Sequence, residues 1–232
     1  MSDKGKLIGI LKRKEFGNIF DFQMNKSNTA TIDFSSNNKD LDEVNTFDTS
    51  LMNKYIFDFI YKNNARVGVG GYNEERIIYK RSSKLFSDLK GNPRFIHLGI
   101  DLWIETGTKI FSPLDGILYS SKDNLGFGDF GPTLIVKHNL GGINFYTLYG
   151  HLTRDSLLNK SVGDNINEGD YFCKVGNFPI NGDWPPHLHF QIILDMLNYD
   201  GDYAAVCSLA DRNKFLELCP DPNLILKIPS LK

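Results

Sequence analysis

Two prolines followed at once by His187-Leu188-His189-Phe190-Gln191-Ile192 constrain this 232-residue chain more than any other stretch. Proline cannot donate to a sheet ladder, so a strand starts just after Pro186. In a strand, side chains i and i+2 leave the same face. His187 and His189 therefore stand side by side, while Leu188 and Phe190 point the other way, toward a core. Two imidazoles on one strand face make half of a metal site or an acid–base pair. A structural or surface histidine pair is the plain alternative.

From about residue 94 the sequence runs in short β segments with turn signals between them: 108–112, 116–121, 133–138, 143–149, 171–175 and 188–194. Strands at this spacing without intervening helices indicate a mainly β fold, an antiparallel sheet or barrel-like sandwich. The 21 glycines and 12% aromatic content agree with it. Residues 1–90 read as an α+β segment packing on that core. A short strand is expected at Thr31–Phe34. From Thr46 to Asn64, Phe47, Leu51, Tyr55, Ile56, Phe59 and Ile60 recur at helical spacing, with Asn45 or Thr46 as N-cap. Val67-Gly68-Val69-Gly70-Gly71 lacks the spacing of a nucleotide-binding loop and reads as a tight connection. Residues 91–198 form the β domain, and 199–232 a C-terminal extension with a short helix near Asp211–Leu218.

A formal net charge of −2 gives no reason to expect nucleic acid or an anionic membrane as partner. Cys173, Cys207 and Cys219 are odd in number and show no CxxC spacing, so neither a disulfide framework nor a cysteine zinc site is indicated. The apolar run Leu7–Leu11 is too short for a signal-peptide core, and no stretch of about 18 apolar residues occurs. A cytoplasmic setting is the expectation. The sequence sets no oligomeric state.

All five histidines (His97, His138, His151, His187 and His189) fall in the β-rich part. His97 and Asp101, four apart in extended chain, share one face. Histidine, aspartate and a further histidine suit zinc with one position left open. Such a site yields a metal-bound hydroxide, with two more imidazoles close by to handle protons or an oxyanion. His138 sits at a hairpin mouth with no partner motif and reads as structural. Tyr146, Tyr149, Asp183 and Trp184 are candidates to line a groove, with core packing as the alternative for the aromatic residues.

The ordered pattern His97-x-x-x-Asp101, Tyr149-Gly150-His151-Leu152 and His187-Leu188-His189-Phe190 resembles the lysostaphin-type, LytM-like zinc peptidases with the duplicated hybrid motif. Gly107-Thr108-Lys109-Ile110, Pro113-Leu114-Asp115-Gly116 and Val162-Gly163-Asp164 through Gly169 resemble that family's intervening phrases, so the likeness covers about 94–195. It implies one Zn2+ per chain on His97, Asp101 and His189, with catalytic roles for His151 and His187. The implied activity is a metalloendopeptidase cleaving peptide or related amide bonds, including those of peptidoglycan type, by metal-activated water. A non-catalytic metal-containing binding or regulatory module is the rival, and a hydrolase of a small amide or ester metabolite a third reading. The loop 177–186 is bulkier and more aromatic than the family's usual Gly/Ser/Thr-rich run, so a differently shaped groove is expected. A narrower resemblance, through GGYNEERIIY at 70–79 and CPDPN at 219–223, is to the peptidase-like domain of multidomain class-III aminotransferase-fold proteins. It implies that residues 1–90 belong with the metal domain, and no pyridoxal phosphate.

Overall fold

The alternating runs after residue 94 supply most of an eight-stranded sheet, in a computed structural model that describes residues 3–82, 86–88 and 91–231. In chain order the strands are β1 Thr29–Ile32, β2 Val67–Gly70, β3 Arg94–His97 and β4 Ile100–Trp103. Then come β5 Lys109–Phe111, β6 Gly116–Asn124, β7 Gly131–Leu140, β8 Ile143–Gly150 and β9 Asn165–Ile166. The last three are β10 Tyr171–Lys174, β11 His187–Ile193 and β12 Val206–Ser208. The main sheet has the order β1-β2-β4-β11-β8-β7-β6-β9, and β10-β5 and β12-β3 form two small ribbons. The fold is mainly β, and among the described residues every strand pairing is antiparallel except β1 with β2.

That exception comes from the α+β segment. β1 and β2 are parallel and joined across α2, Thr49–Lys62. The Asp48 carboxylate caps α2 by accepting the Leu51 N–H at 3.0 Å, three residues after Asn45 and two after Thr46, the caps expected from the sequence. Its buried stripe is Met52, Ile56, Phe57 and Ile60, packed with Ile32, Phe34 and Trp103. Phe47 and Leu51, expected to face inward, are exposed. Burying each of those four side chains stabilises the fold by about 1.5–3 kcal/mol.

The glycine run at 67–71 is also more than a connection: Val67–Gly70 is a fully buried strand between β1 and β4. A Cβ at Gly68 would lie 2.7 Å from Ile32 Cδ1 and 2.9 Å from Ile60 Cδ1, so glycine lets α2 settle directly onto the sheet.

Among the described residues, three other α-helices lie toward the chain ends: α1 Asp3–Arg13, α3 Arg212–Leu218 and α4 Asn223–Leu226. Leu7 and Leu11 of α1 join Ile225 of α4 and the apolar side of the sheet in the largest core. Among the described residues, no helix is long and apolar enough to cross a membrane. The three cysteines are buried and free.

Register decides what faces the site. Leu102 of β4 and Leu188, Phe190 and Ile192 of β11 enter the large core. The intervening residues project from the opposite face, where His187 pairs with Trp103, and His189 with Asp101 on one side and Gly150 on the other.

Candidate metal centre

The geometric rule for β11 holds: His187 and His189 share the face opposite Leu188 and Phe190. His97 and Asp101 reach them by a different route from the single extended segment expected. His97 ends β3, which pairs with β12, and Asp101 lies in β4 of the main sheet; Leu98-Gly99 makes the corner. A Cβ at Gly99 would lie 2.5 Å from His189 Cε1, so the corner closes against that ring.

Three ligand-type atoms converge there. His97 Nε2 lies 3.1 Å from His189 Nδ1 and 3.3 Å from Asp101 Oδ1, and His189 Nδ1 lies 2.9 Å from the same oxygen. All three side chains are buried.

Hydrogen bonds on the far sides of the rings set the tautomers. A carbonyl oxygen only accepts, so the imidazole nitrogen facing it carries the proton. His97 Nδ1–H donates to the Gly71 carbonyl at 2.9 Å. Gln191 donates its amide N–H groups to the Ala204 carbonyl at 3.1 Å and to Cys219 Sγ. That orientation turns its Oε1 toward His189, whose Nε2–H it accepts at 2.9 Å. His97 Nε2 and His189 Nδ1 therefore both present lone pairs, and Asp101 Oδ1 is a third acceptor. Three acceptors and no donor among them, held about 3 Å apart, repel one another unless a cation joins them. The site residues fit a zinc ion on chemical grounds: two imidazoles and a carboxylate with second-side hydrogen bonds to each histidine.

The other two histidines are set the same way. His151 Nδ1–H donates to the Asn181 carbonyl at 2.7 Å, and His187 Nδ1–H to the Pro185 carbonyl at 2.8 Å. Each keeps a free Nε2. The His151 and His187 rings lie 4.2 Å apart, and His187 stacks on Trp103 at 4.0 Å. His187 Nε2 is 3.8 Å from Asp101 Oδ1. His151 sits at φ +63°, a backbone region that non-glycine residues visit rarely. Its N–H bonds to the Phe130 carbonyl and its carbonyl to the Gly176 N–H, both at 2.8 Å, which hold the unusual conformation.

Burial keeps His97, His151 and His187 neutral. It pushes His97 down to about 4, with Arg76 adding to the effect against Asp101, and it takes His187 to about 4 as well. Burial and the neighbouring His187 and His189 hold His151 well below the usual histidine range. Burial would raise the Asp101 carboxyl, but His97, Arg76 and His187 outweigh it and hold it well below the carboxylate range.

Of the other sequence candidates, Trp184 lines a cavity of about 260 Å³ in front of the site. Tyr149 does not: it is buried in the core against Phe172 and Phe190. Tyr146 is half-buried and packs on Tyr119. Asp183 accepts the Thr49 hydroxyl at 3.0 Å, away from the cavity. His138 has both nitrogens engaged, near the Asp115 carbonyl and the Thr147 hydroxyl at 2.7 Å each, and lies outside the site. Sequence reasoning missed Gln191 and Arg76. Gln191 had a usable signal, its i+2 position on the histidine face; Arg76 had none.

Residues 95–200 match the model of "Peptidase family M23". No curated protein gives a significant match. Among solved structures, the chain is similar to a zinc-containing peptidase from Vibrio cholerae, at 20% identity, TM-score 0.38, over 58% of this chain and 35% of that one. A second is a putative peptidase M23 from Pseudomonas aeruginosa, at 22% identity and TM-score 0.37, over 62% and 51%. A third is the catalytic domain of lysostaphin from Staphylococcus simulans, at 20% identity and TM-score 0.36, over 52% and 80%. This chain thus spans about a third and about half of the first two.

Proposed function

We propose that the segment matching Peptidase family M23 is a zinc-dependent hydrolase that cleaves a peptide or related amide bond. One zinc ion, held by His97 Nε2, Asp101 Oδ1 and His189 Nδ1, would supply Lewis acidity and an activated water at its open position. The chain's own part is proton handling. His151 and His187, neutral through burial, offer Nε2 lone pairs toward the cavity, where one takes the proton of the attacking water. The resulting imidazolium carries its new proton on Nε2, where it steadies the charged intermediate and then serves the leaving nitrogen as acid. The cavity of about 260 Å³ suits a short stretch of backbone or a small amide.

The observation that carries this reading is the convergence of three proton-free ligand atoms beside two imidazoles with free Nε2 atoms. The test is hydrolysis of glycyl peptides, peptidoglycan fragments and small amides by the zinc-loaded protein, with loss on chelation and recovery on adding zinc. Burial of all five side chains favours a second reading, a metal-containing binding module without turnover. Stoichiometric zinc with no hydrolysis of any of the three substrate classes selects that second reading.

A further inference from the structure

Just outside the residues that line the cavity, the turn after β2 brings a fully buried guanidinium against Asp101. Arg76 is 1% exposed. Its Nη1 donates to Asp101 Oδ2 at 2.5 Å and lies 3.3 Å from the Tyr79 hydroxyl. Nε donates to Glu74 Oε2 at 2.6 Å, and Nη2 to the Gly71 carbonyl at 3.2 Å. Glu74 is anchored in turn, its Oε1 accepting the Phe34 N–H at 2.9 Å. A Cβ at Gly70 would lie 2.6 Å from Arg76 Nη2, so the strand leaves the guanidinium its place.

Two details tie this arrangement to the metal ligands. The oxygen Arg76 holds is Oδ2, whereas His97 and His189 face Oδ1. The Gly71 carbonyl that accepts from Arg76 also accepts from His97 Nδ1–H. One short segment, 71–76, therefore orients two of the three ligands.

We infer that Arg76 is a positioning residue that reserves Asp101 Oδ2 and so makes Asp101 a one-oxygen ligand with a fixed approach. This rests on the metal reading above. A planar guanidinium reaches Asp101, Glu74 and Gly71 at once; an ammonium cannot, so lysine is not an equivalent replacement. An arginine kept purely for stability would leave metal binding by the folded protein unchanged. Hydrogen-bond partners of metal ligands commonly change metal affinity by about 10–100-fold when removed.

The test measures zinc affinity by chelator competition, together with thermal unfolding of the metal-free protein. The proteins are the wild type, Arg76→Lys, and the pair Glu74→Gln/Arg76→Met, which removes the Glu74 carboxylate together with the guanidinium and so keeps the net charge of the Arg76, Glu74 and Asp101 group unchanged. The expected result is one zinc per wild-type chain, with affinity about 10–100-fold weaker in the pair and intermediate in Arg76→Lys, all measured well below each protein's unfolding temperature. Cobalt(II) in place of zinc gives a second readout: the wild type shows the intense visible bands of four-coordination, and Arg76→Lys shows weaker bands as Oδ2 becomes available. If the pair does not fold, the Arg76→Lys affinity and cobalt spectrum decide. Equal zinc affinity and identical cobalt spectra in folded variants, with only the unfolding temperature lowered, overturn the inference. A wild-type protein that binds no zinc instead removes the metal reading on which it stands.

Discussion

Gln191 Oε1 accepts the Nε2–H of His189 at 2.9 Å, and the orientation of that amide is dictated by the Ala204 carbonyl 3.1 Å from its nitrogen. The lone pair on His189 Nδ1 is thus specified from outside the ligand set. Gln191→Met removes the acceptor at similar volume. Zinc affinity, measured by chelator competition, is expected to fall about 10–100-fold while the apolar face of β11 stays packed.

His97→Ala and Asp101→Ala each delete a converging ligand atom. Mass-spectrometric metal analysis of the purified variants should show zinc well below one per chain, against about one in the wild type. Near-stoichiometric zinc in both would sink the ligand assignment.

His151 touches none of the three ligand atoms within hydrogen-bonding range, its Nδ1 being committed to Asn181. His151→Ala is expected to keep its zinc yet lose about 10²–10⁴-fold in the rate of amide hydrolysis. Retained zinc with an unchanged rate would move the proton-transfer role to His187.

His138 offers a pH test remote from the metal. Burial pushes it down to about 4, whereas an unfolded histidine titrates near about 6.5. Between those values the unfolded chain binds more protons than the folded one, so stability is full above about pH 6.5 and is lost as the pH falls toward 4. Urea midpoints of the metal-free protein should decline across that window. In His138→Gln the decline should be shallower, by on the order of a few kcal/mol over the whole range.

The site's front was legible in the sequence and its back was not. His187 and His189 declare their shared face through the period of two, and that face exists as read. Arg76 lies in Glu74-Glu75-Arg76, which looks like a solvated charge run. Its burial depends on Asp101, 25 residues on and in another strand, and on the absence of a side chain at Gly70. The α2 stripe was misplaced for a related reason. That helix carries apolar residues around much of its circumference, so periodicity alone does not choose between Leu51 and Met52. The choice is made by where β1 and β2 run beneath it. The glycines at 68 and 70 looked like a turn because their reason for lacking side chains sits on other segments, Ile60 and Arg76.

β11 is the last of the eight main-sheet strands to appear along the chain, yet it lies near the middle, bonded to β4 on one side and β8 on the other. Until residues 187–193 arrive, β1-β2-β4 and β8-β7-β6-β9 are two separate half-sheets with exposed edges. His97 and Asp101 belong to the early side, and His189 comes with the keystone strand, 92 and 88 residues later. Contacts of such sequence separation form slowly. During synthesis the three converging side chains therefore meet only when the two half-sheets join, and under the proposed metal reading zinc capture would mark a chain that has completed its sheet.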